Sequence, residues 1–556
     1  MNLQPNIVFI VADQLKWSAL RLYSELGIKT PAIERLAKEG VTYKYAITPH
    51  PLCVPARTSM MTGRYPHSTG CRLNETLMPP NTNHAFKIWK DNNYFTGLIG
   101  KNHCFTDSDD LALFDVRCEI SHTGLPTGGY VGENIGVQGM EWGYSNEQIT
   151  LAHKTRKTLQ TNTQSPTIAY ACSDYPLEHY SSSLIASQSI DFFNRYKNGK
   201  LNNTFTDVNK KPFALMISFP DPHEPYESPR EYVNQFPINE ITLPPQRVDE
   251  FTDGTSPERN RVLAKIMRQD FDKEQHKRGL IATYYSMIRF LDDGIGRILR
   301  SLDDLDLRKN TIIVFTSDHG DFMGEHGMSV KGGLFYDCLV RVPLVISWPS
   351  GGVPQGIVDE SMANTIDILP TLLQLQQINN FESDLPDWDT AATINKPKVT
   401  EERINAFHGK PLPIVTDSKP RNATFSEYGA GGSSFTMKHL DKMPKPYGYK
   451  TLLETLWARE AEGRRKMVRT KDWKYVTDPM AYGATLSSGT DGGAGNVDEL
   501  YDLKKDPWEL HNVAFDPLNA SIISEMRYLL AGWMIETEDN KPLTLPMTMG
   551  RDMTNR

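Results

Sequence analysis

The sequence predicts an α/β fold in which a large mixed, mostly parallel sheet is sandwiched by helices and followed by a smaller α+β subdomain. Residues 6–12 are a continuous apolar, largely β-branched run ending at Asp13, which is typical of a strand buried on both faces. A helix is predicted next, because Thr30 can cap it, Pro31 suits its first turn and Gly40 can end it. A strand followed by a helix favours a parallel or mixed sheet covered by helices.

Further strands repeat this design and end in polar residues. The predicted strands and the residues at their ends are 94–99 with Gly100-Lys101, 213–219 with Asp221-Pro222-His223, and 311–316 with Ser317-Asp318-His319. In open α/β sheets the ligand crevice lies outside the carboxyl ends of the strands. We therefore expect these distant segments to converge on one site.

The carboxyl third of the chain has a different composition. Residues 377–420 lose apolar periodicity and are predicted to be a connecting segment at the surface. We therefore predict a catalytic domain over 1–420, which includes this segment, and a subdomain with a small antiparallel sheet and a helix over 421–556. The predicted elements of the subdomain are strands at 423–428, 466–476 and 499–503, a loop at 483–495 and a helix at 521–535.

Composition excludes several classes of function. Of 556 residues, 39% are hydrophobic and 23% charged, and the net charge is −8, so we expect a soluble globular protein that does not bind nucleic acid. No apolar run is long enough to span a bilayer, and the amino terminus has no secretory pattern. The six cysteines have no paired spacing. These features predict a cytoplasmic protein with reduced thiols and no membrane partner.

The pentapeptide Cys53-Val54-Pro55-Ala56-Arg57 carries the strongest chemical signal. Pro55 is suited to begin a helix that runs through Arg57 and ends near Gly63. Unpaired amide hydrogens at the amino terminus of that helix would stabilise an anion. The alternative is that Cys53 is a small buried thiol, as most cysteines are.

Several further motifs accompany this pentapeptide, and with them the chain resembles the type I sulfatases of the alkaline phosphatase-like superfamily. The matching segments are Ala12-Asp13-Gln14, Gly100-Lys101-Asn102-His103, Asp221-Pro222-His223-Glu224-Pro225-Tyr226, Ser317-Asp318-His319-Gly320, Arg341-Val342-Pro343, Glu499-Leu500-Tyr501-Asp502-Leu503 and Asp506-Pro507-Trp508-Glu509-Leu510. The resemblance implies a sulfatase that hydrolyses a sulfate ester. It also implies that a formylglycine-generating enzyme oxidises Cys53 to formylglycine (3-oxoalanine), whose hydrate carries two hydroxyls on one carbon.

The same resemblance implies a divalent cation held by Asp13, Gln14, Asp318 and His319 together with the residue derived from Cys53. Oxygen-rich ligation suits Ca²⁺, and the imidazole also tolerates Mn²⁺ or Mg²⁺. Many family members carry a second aspartate at the position of Gln14. This difference leaves the identity of the metal open.

The resemblance also assigns roles around the nucleophile. Arg57 stabilises the formylglycine, Lys101 and His103 lie beside it, and His223 and Lys331 face the leaving group. A hydroxyl of the hydrate attacks sulfur while His223, with Lys331, protonates the departing alcohol. His103 then removes the proton from the second hydroxyl, and sulfate is expelled as the aldehyde reforms.

These assignments have structural alternatives. A core histidine would explain His103, a rigid turn would explain His223, and a solvated loop lysine would explain Lys331. Asn74 follows the nucleophile helix and is a weaker candidate for contact with sulfate or substrate.

Three other functions stay open at this point. A phosphonate monoester or phosphodiester hydrolase would use the same site, because the transition states have similar shape. Choline sulfatase shares motifs with this chain, which nevertheless shows no clear cage for a quaternary ammonium group. A non-catalytic protein would keep Cys53 as a thiol and only capture an anion.

Substrate identity is not encoded in these motifs. The absence of an export signal favours a small anionic sulfate ester, such as a sulfated mono- or oligosaccharide. Selectivity is expected to depend on the loops within 107–164 and on the region around Tyr428 and Trp457. A homo-oligomer is possible, and the tail at 537–556 could pack on a neighbour or fray.

Overall fold

The computed structural model describes the chain in ten stretches. They are 4–76, 78–79, 82–105, 108–120, 168–174, 176–201, 211–268, 273–378, 407–478 and 498–537. Within them, no helix combines the length and apolar character that crossing a bilayer requires.

The strands are distributed over one large and three small sheets. In chain order they are β1 Asn6–Ala12, β2 Val41–Ile47, β3 Phe95–Gly100, β4 Val116–Glu119, β5 Tyr170–Ser173, β6 Phe213–Phe219, β7 Tyr226–Pro229, β8 Thr311–Ser317, β9 Phe322–Met323, β10 Ser329–Val330, β11 Arg341–Val342, β12 Leu344–Ser347, β13 Ile357–Asn364, β14 Ala423–Tyr428, β15 Arg465–Thr470, β16 Trp473–Thr477 and β17 Glu499–Asp502.

The helices pack on the sheets or on one another. They are α1 Pro31–Lys38, α2 Cys53–Thr62, α3 Pro66–Thr69, α4 Ala85–Asp91, α5 Ser108–Ala112, α6 Ser181–Lys197, α7 Arg230–Val233, α8 Glu258–Met267, α9 Glu274–Asp304, α10 Asp337–Val340, α11 Ile368–Leu375, α12 Met437–Leu440, α13 Tyr449–Glu454, α14 Leu456–Ala461 and α15 Ala520–Glu536.

The large sheet is mixed and mostly parallel, as the sequence predicts. Its strand order is β11-β2-β12-β8-β1-β6-β3-β4, and β13 also pairs with β2. The central strand β1 runs parallel to both β6 and β8, whereas β12 is antiparallel to β8 and β2. The carboxyl ends of β1, β3, β6 and β8 therefore meet at one edge of the sheet, which is the arrangement that the polar residues at these ends predict.

Strand β1 is buried on both faces, and its side chains alternate between two cores. Val8 and Ile10 belong to a cluster on one face, which includes much of α9, while Ile7 and Phe9 belong to a cluster on the other face. Because successive side chains of a strand point to opposite faces, an uninterrupted apolar run satisfies both layers. This explains why residues 6–12 show no polar alternation.

The carboxyl-terminal part of the chain carries a separate antiparallel sheet of order β14-β15-β16-β17, against which α15 packs. The sequence treats 466–476 as one strand, and this is wrong, because the chain turns at Lys471 and Asp472 into a β15–β16 hairpin. Thr470 Oγ1 accepts the Trp473 amide at 3.0 Å and stabilises that turn. The division of the chain at residue 420 remains a prediction.

Some predicted features lie wholly or partly outside the described residues. They are the loop at 483–495, most of the connecting segment at 377–420, the part of the 107–164 region beyond residue 120, and the tail beyond Thr537.

Candidate active site

The ends of β1 and β8 and the start of α2 bring four potential ligands together. Residues Ala12 and Ser317 are register partners in the parallel pair, so the residues that follow them are neighbours. Asp13, Cys53, Asp318 and His319 each offer one ligand atom, and these atoms all lie within 4.8 Å of one another. All four residues are fully buried. The expected convergence of the first strand, a later strand and the nucleophile helix is therefore present in the fold.

The donor atoms of this cluster are of types that bind divalent cations. Cys53 Sγ lies 3.0 Å from His319 Nε2 and 3.9 Å from Asp13 Oδ1. His319 Nδ1 lies 2.9 Å from the Gly320 carbonyl oxygen, which leaves Nε2 directed at the cluster. Two carboxylates and one imidazole in a buried space suit Ca²⁺, Mg²⁺ or Mn²⁺.

The His319 imidazole is held in an acidic environment. Burial disfavours its charged form, but the Asp318 carboxylate and Cys53 outweigh burial and raise the pKa of His319 to about 9. In the absence of a cation the cluster thus attracts a proton to the same nitrogen that a cation would occupy.

Two cations compensate the buried carboxylates. Arg57 Nε donates to Asp318 Oδ2 at 2.7 Å, Arg57 Nη1 donates to Ser218 Oγ at 2.8 Å, and Arg57 Nη2 lies 3.4 Å from Asp13 Oδ2. Lys101 Nζ donates to Asp13 Oδ2. Burying an unpaired charge is costly, and these pairs offset that cost for the two carboxylates. Lys101 is expected beside the nucleophile. It contacts Asp13, whose Oδ1 lies 3.9 Å from Cys53 Sγ.

The Gln14 side chain makes polar contacts with residues on the side where the leaving group is expected. Its Oε1 accepts a hydrogen bond from Lys331 Nζ at 2.6 Å, and its Nε2 donates to Glu224 Oε2 at 2.9 Å and to Tyr226 Oη at 3.3 Å. Its backbone amide donates to Asp318 Oδ1 of the cluster at 3.0 Å. Gln14 therefore connects Asp318 of the cluster, through its backbone, to Lys331 and Glu224, through its side chain. Lys331 lies on the side where the leaving group is expected.

His223 and Lys331 contact each other directly through Nε2 and Nζ. An ammonium group has only donors, so His223 Nε2 accepts, and Nδ1 then carries the proton, 2.6 Å from the Glu224 carbonyl oxygen. The Glu224 carboxylate lies 3.3 Å from the same Nδ1. With Gln14, these side chains close a ring of polar contacts.

The electrostatic surroundings keep Lys331 charged. Burial lowers the pKa of Lys331, but Cys53, Glu224 and Asp13 outweigh burial and leave this pKa well above its usual range. The alternative that Lys331 is a solvated loop lysine does not agree with its contacts to Gln14 and His223.

The nucleophile helix begins two residues earlier than the sequence predicts. It starts at Cys53 and ends at Thr62, with Gly63 in the left-handed conformation (φ 67°). The preceding residue, Leu52, has no capping side chain. Instead, Asn74 Oδ1 accepts the Val54 amide at 3.2 Å. Asn74 is therefore beside Cys53, as a cap on the helix.

His103 lies two residues beyond Lys101 and is half-buried. It has a left-handed backbone (φ 63°), as does Gln14 (φ 64°). Such non-glycine conformations cost of order 1–3 kcal/mol and cluster at functional sites. The role of His103 as a base remains a prediction.

Several residues of the site escape sequence reasoning. Glu224 and Tyr226 lie in the segment Asp221–Tyr226 that resembles the family. In this segment the sequence predicts a role only for His223. Ser218 and Asp321 carry no signal beyond their position near strand ends. Tyr226 Oη donates to Asp321 Oδ2 at 2.8 Å, so both belong to the polar surroundings of Gln14.

The two aromatic residues expected to govern selectivity differ in exposure. Tyr428 is 2% exposed, and its ring stacks on His50 with centroids 5.2 Å apart, so it supports the site from behind. Trp457 is 44% exposed and remains available to a ligand.

Comparisons with known proteins identify the family of this chain. The family model described as Sulfatase matches residues 5–378. An ulvan-active sulfatase of Formosa agariphila is 28% identical over 72% of this chain and 67% of its own length. A choline-sulfatase of Rhizobium meliloti is 25% identical over 92% of this chain and 83% of its own.

A solved structure confirms the fold class. The phosphonate monoester hydrolase of Agrobacterium radiobacter superposes with a TM-score of 0.65 over 96% of each chain, at 21% identity. With the family match across most of its α/β part, the chain belongs to the sulfatase family of sulfuric ester hydrolases.

Proposed function

We propose that this enzyme hydrolyses the sulfate ester of a small sulfated carbohydrate, using a formylglycine made from Cys53 and a divalent cation. The observation that carries this proposal is the position of Cys53. Cys53 is the first residue of helix α2, and its Sγ is buried among the ligand atoms of Asp13, Asp318 and His319. A structural cysteine needs no such neighbours, whereas a nucleophile needs an electrophilic surrounding.

The residues that would hold the cation are Asp13, Asp318 and His319, and a rotation of the Gln14 side chain would add an amide oxygen. When bound, the cation supplies Lewis acidity toward the nucleophile and a sulfate oxygen. Ca²⁺ is our first expectation, with Mn²⁺ or Mg²⁺ as alternatives. Arg57 and Lys101 hold the carboxylates in place and stabilise negative charge that develops on the transferred group.

The leaving group is proposed to lie against the His223–Lys331 pair. This pair holds a proton between His223 Nε2 and Lys331 Nζ. It can therefore deliver that proton to the departing alcohol oxygen. His103 is proposed as the base of the second step, and Asn74 fixes the first turn of α2 through the Val54 amide.

Maturation of Cys53 can be tested directly. Full-length protein produced together with a formylglycine-generating enzyme should react with a hydrazide reagent at residue 53, detected by peptide mass spectrometry. Cys53→Ser should show no adduct, while Cys172→Ser, which removes a half-buried thiol elsewhere, should react like the wild type. Full turnover of an aryl sulfate by protein without this adduct would contradict the proposal.

Two observations support a carbohydrate as the substrate class. The relative from Formosa agariphila is named for activity on ulvan, and Trp457 leaves an aromatic face exposed. A panel of sulfated mono- and oligosaccharides, run beside choline sulfate, should show the highest kcat/KM for a sugar. Preference for choline sulfate would overturn this assignment.

A second candidate is hydrolysis of phosphonate monoesters or phosphodiesters at the same site. It is favoured by charge, because these esters carry one negative charge, as a sulfate monoester does, and by the similar structure of a phosphonate monoester hydrolase. Turnover of an aryl sulfate and an aryl phosphonate by the same matured sample separates the two functions. The sulfatase proposal expects the larger kcat/KM for the sulfate.

A cytoplasmic location and maturation by a formylglycine-generating enzyme remain proposals from the sequence, as does any homo-oligomer.

A further inference from the structure

The buried carboxyl groups of Glu75 and Glu460 lie near the first turn of α2, because Asn74, which precedes Glu75, contacts both Glu460 and Val54. Glu460, on α14, is fully buried, and Glu75, on the segment after α3, is 6% exposed. Glu460 Oε2 accepts the Asn74 amide at 3.1 Å. Among the described groups, no hydrogen-bond donor reaches Glu460 Oε1. Two like charges this close in a buried space cannot both ionise at moderate cost.

Glu460 is set up to keep a proton at neutral pH. Burial, and then the charge of Glu75, raise the pKa of Glu460 to about 8. The Asn74 amide and Arg459 act in the opposite direction but do not outweigh these effects. A protonated carboxyl donates one hydrogen bond, and the partner carboxylate accepts it.

The other charged groups near the pair have partners of their own. Arg459 donates to Thr455 Oγ1 and to the Leu452 carbonyl, and Arg465 pairs with Glu462. Tyr428 on β14 also faces Glu460, and Arg72, on the segment that carries Glu75, lies 3.8 Å from Glu427.

The pair is connected to the catalytic centre through Asn74. The Asn74 amide donates to Glu460, and the Asn74 side chain accepts the amide of Val54, the residue after Cys53. Glu460 and Asn74 are 386 residues apart in the chain. Two hydrogen bonds thus link a helix of the carboxyl-terminal part to the first turn of α2.

We propose that Glu75 and Glu460 share one proton and that this carboxyl pair positions Asn74 against the amino terminus of the nucleophile helix. While the proton is present, the two carboxyls are bonded to each other and Glu460 Oε2 stays on the Asn74 amide. When the proton is lost, the carboxylates repel, Asn74 moves, and the Val54 amide loses its acceptor. Both glutamates are positioning residues.

This inference depends on the proposed function only for its effect on activity. The effect on stability does not depend on any substrate. An unfolded glutamate titrates near pH 4.3. Between that pH and about 8, the folded state keeps a proton that the unfolded state releases, so this pair makes folding stability fall as pH rises through the window.

The test uses Glu460→Gln and Glu75→Gln in the full chain. A neutral amide can donate to the remaining carboxylate at any pH, and at position 460 its oxygen can still accept from Asn74. Both variants should lose the infrared band of a buried protonated carboxyl that the wild type shows at pH 7. Both should also lose the decline of thermal stability that the wild type shows as pH rises from about 4.3 to about 8. Glu454→Gln, an exposed neutralisation on α13, is the matched control and should change neither.

Activity is the second readout. With an aryl sulfate, kcat/KM of the matured wild type should fall about tenfold per pH unit above the pKa of the pair, and in the variants this fall should move to higher pH. If a variant does not fold, the infrared band of the other decides the outcome. Absence of the band in the wild type, or an unchanged pH dependence of stability in both variants, would overturn the shared proton. Loss of the band without any change in the activity profile would overturn the positioning role.

Inactivity toward every ester would count against the proposed function, while the band and the stability profile would still decide the pair.

Discussion

The Gln14 side chain accepts a hydrogen bond from Lys331 Nζ at 2.6 Å and donates one to Glu224 Oε2 at 2.9 Å. A residue expected at the metal therefore connects Lys331 to Glu224. A carboxylate at this position could bind Lys331 but could not donate to Glu224.

We predict that Gln14→Glu lowers the free energy of unfolding by about 1.5–3 kcal/mol, because a donor to a charged acceptor becomes a second carboxylate. Urea denaturation in metal-free buffer measures this change. The double variant Gln14→Glu with Glu224→Gln restores one donor and one acceptor, and should recover most of the loss. A double variant as unstable as the sum of its parts would count against the contact.

Arg57→Ala should be strongly destabilising. It leaves the buried carboxylates of Asp13 and Asp318 with less compensating charge, and breaking such pairs costs about 3–5 kcal/mol. Arg57→Lys keeps the charge but cannot span Asp318 and Ser218 at once, so its loss should be smaller. Denaturant unfolding in the presence of a chelator measures the free energy of unfolding of both variants. Equal losses of stability would argue against simultaneous contacts of the Arg57 guanidinium with Asp318 and Ser218.

Added Ca²⁺ should reduce the defect of Arg57→Ala, because a cation at Asp13 and Asp318 takes over part of the compensation. The measurement is the shift in Tm of wild type and variant on titration with CaCl₂, MgCl₂ or MnCl₂. A larger shift in the variant is expected with the cation that binds most tightly. No shift in either protein with any of these ions would contradict a metal site at these residues.

The buried network around Asp337 should make the enzyme sensitive to acid. Asp337 accepts from Arg469 at 2.8 Å and from Lys474 at 2.6 Å. Burial opposes its charge, but these two cations outweigh burial and hold the pKa of Asp337 well below its usual range. Because that pKa is depressed, its stabilising effect is present above the unfolded value of about 3.9 and is lost as pH falls below it.

Asp337→Asn should therefore cost about 3–5 kcal/mol at pH 7, and the difference from wild type should shrink below pH 4. Unfolding curves at several pH values measure this difference. Asp502→Asn, at a more exposed ion pair with Lys505, is the matched control and should cost at most about 1 kcal/mol. A pH-independent cost for Asp337→Asn would mean that the lost contacts are not ionic.

The sequence by itself determined the fold class, the strands β1, β3, β6 and β8, and the polar residues at their carboxyl ends. Asp13 and Asp318 are adjacent because each directly follows a buried strand and those strands pair in parallel. This information is local, because an apolar run indicates a strand and the first polar residue after the run indicates where that strand ends. The hairpin within 466–476 was missed, because a two-residue turn without glycine or proline gives little signal.

Only the tertiary structure decided how the side chains are directed. Gln14 and Lys331 are 317 residues apart, and the Glu460 contact to Asn74 spans 386 residues. The early start of α2 likewise depends on a cap from Asn74, outside the helix itself. Side-chain direction at these positions is set by packing and by the satisfaction of buried polar groups, which depend on neighbours that no local pattern reveals.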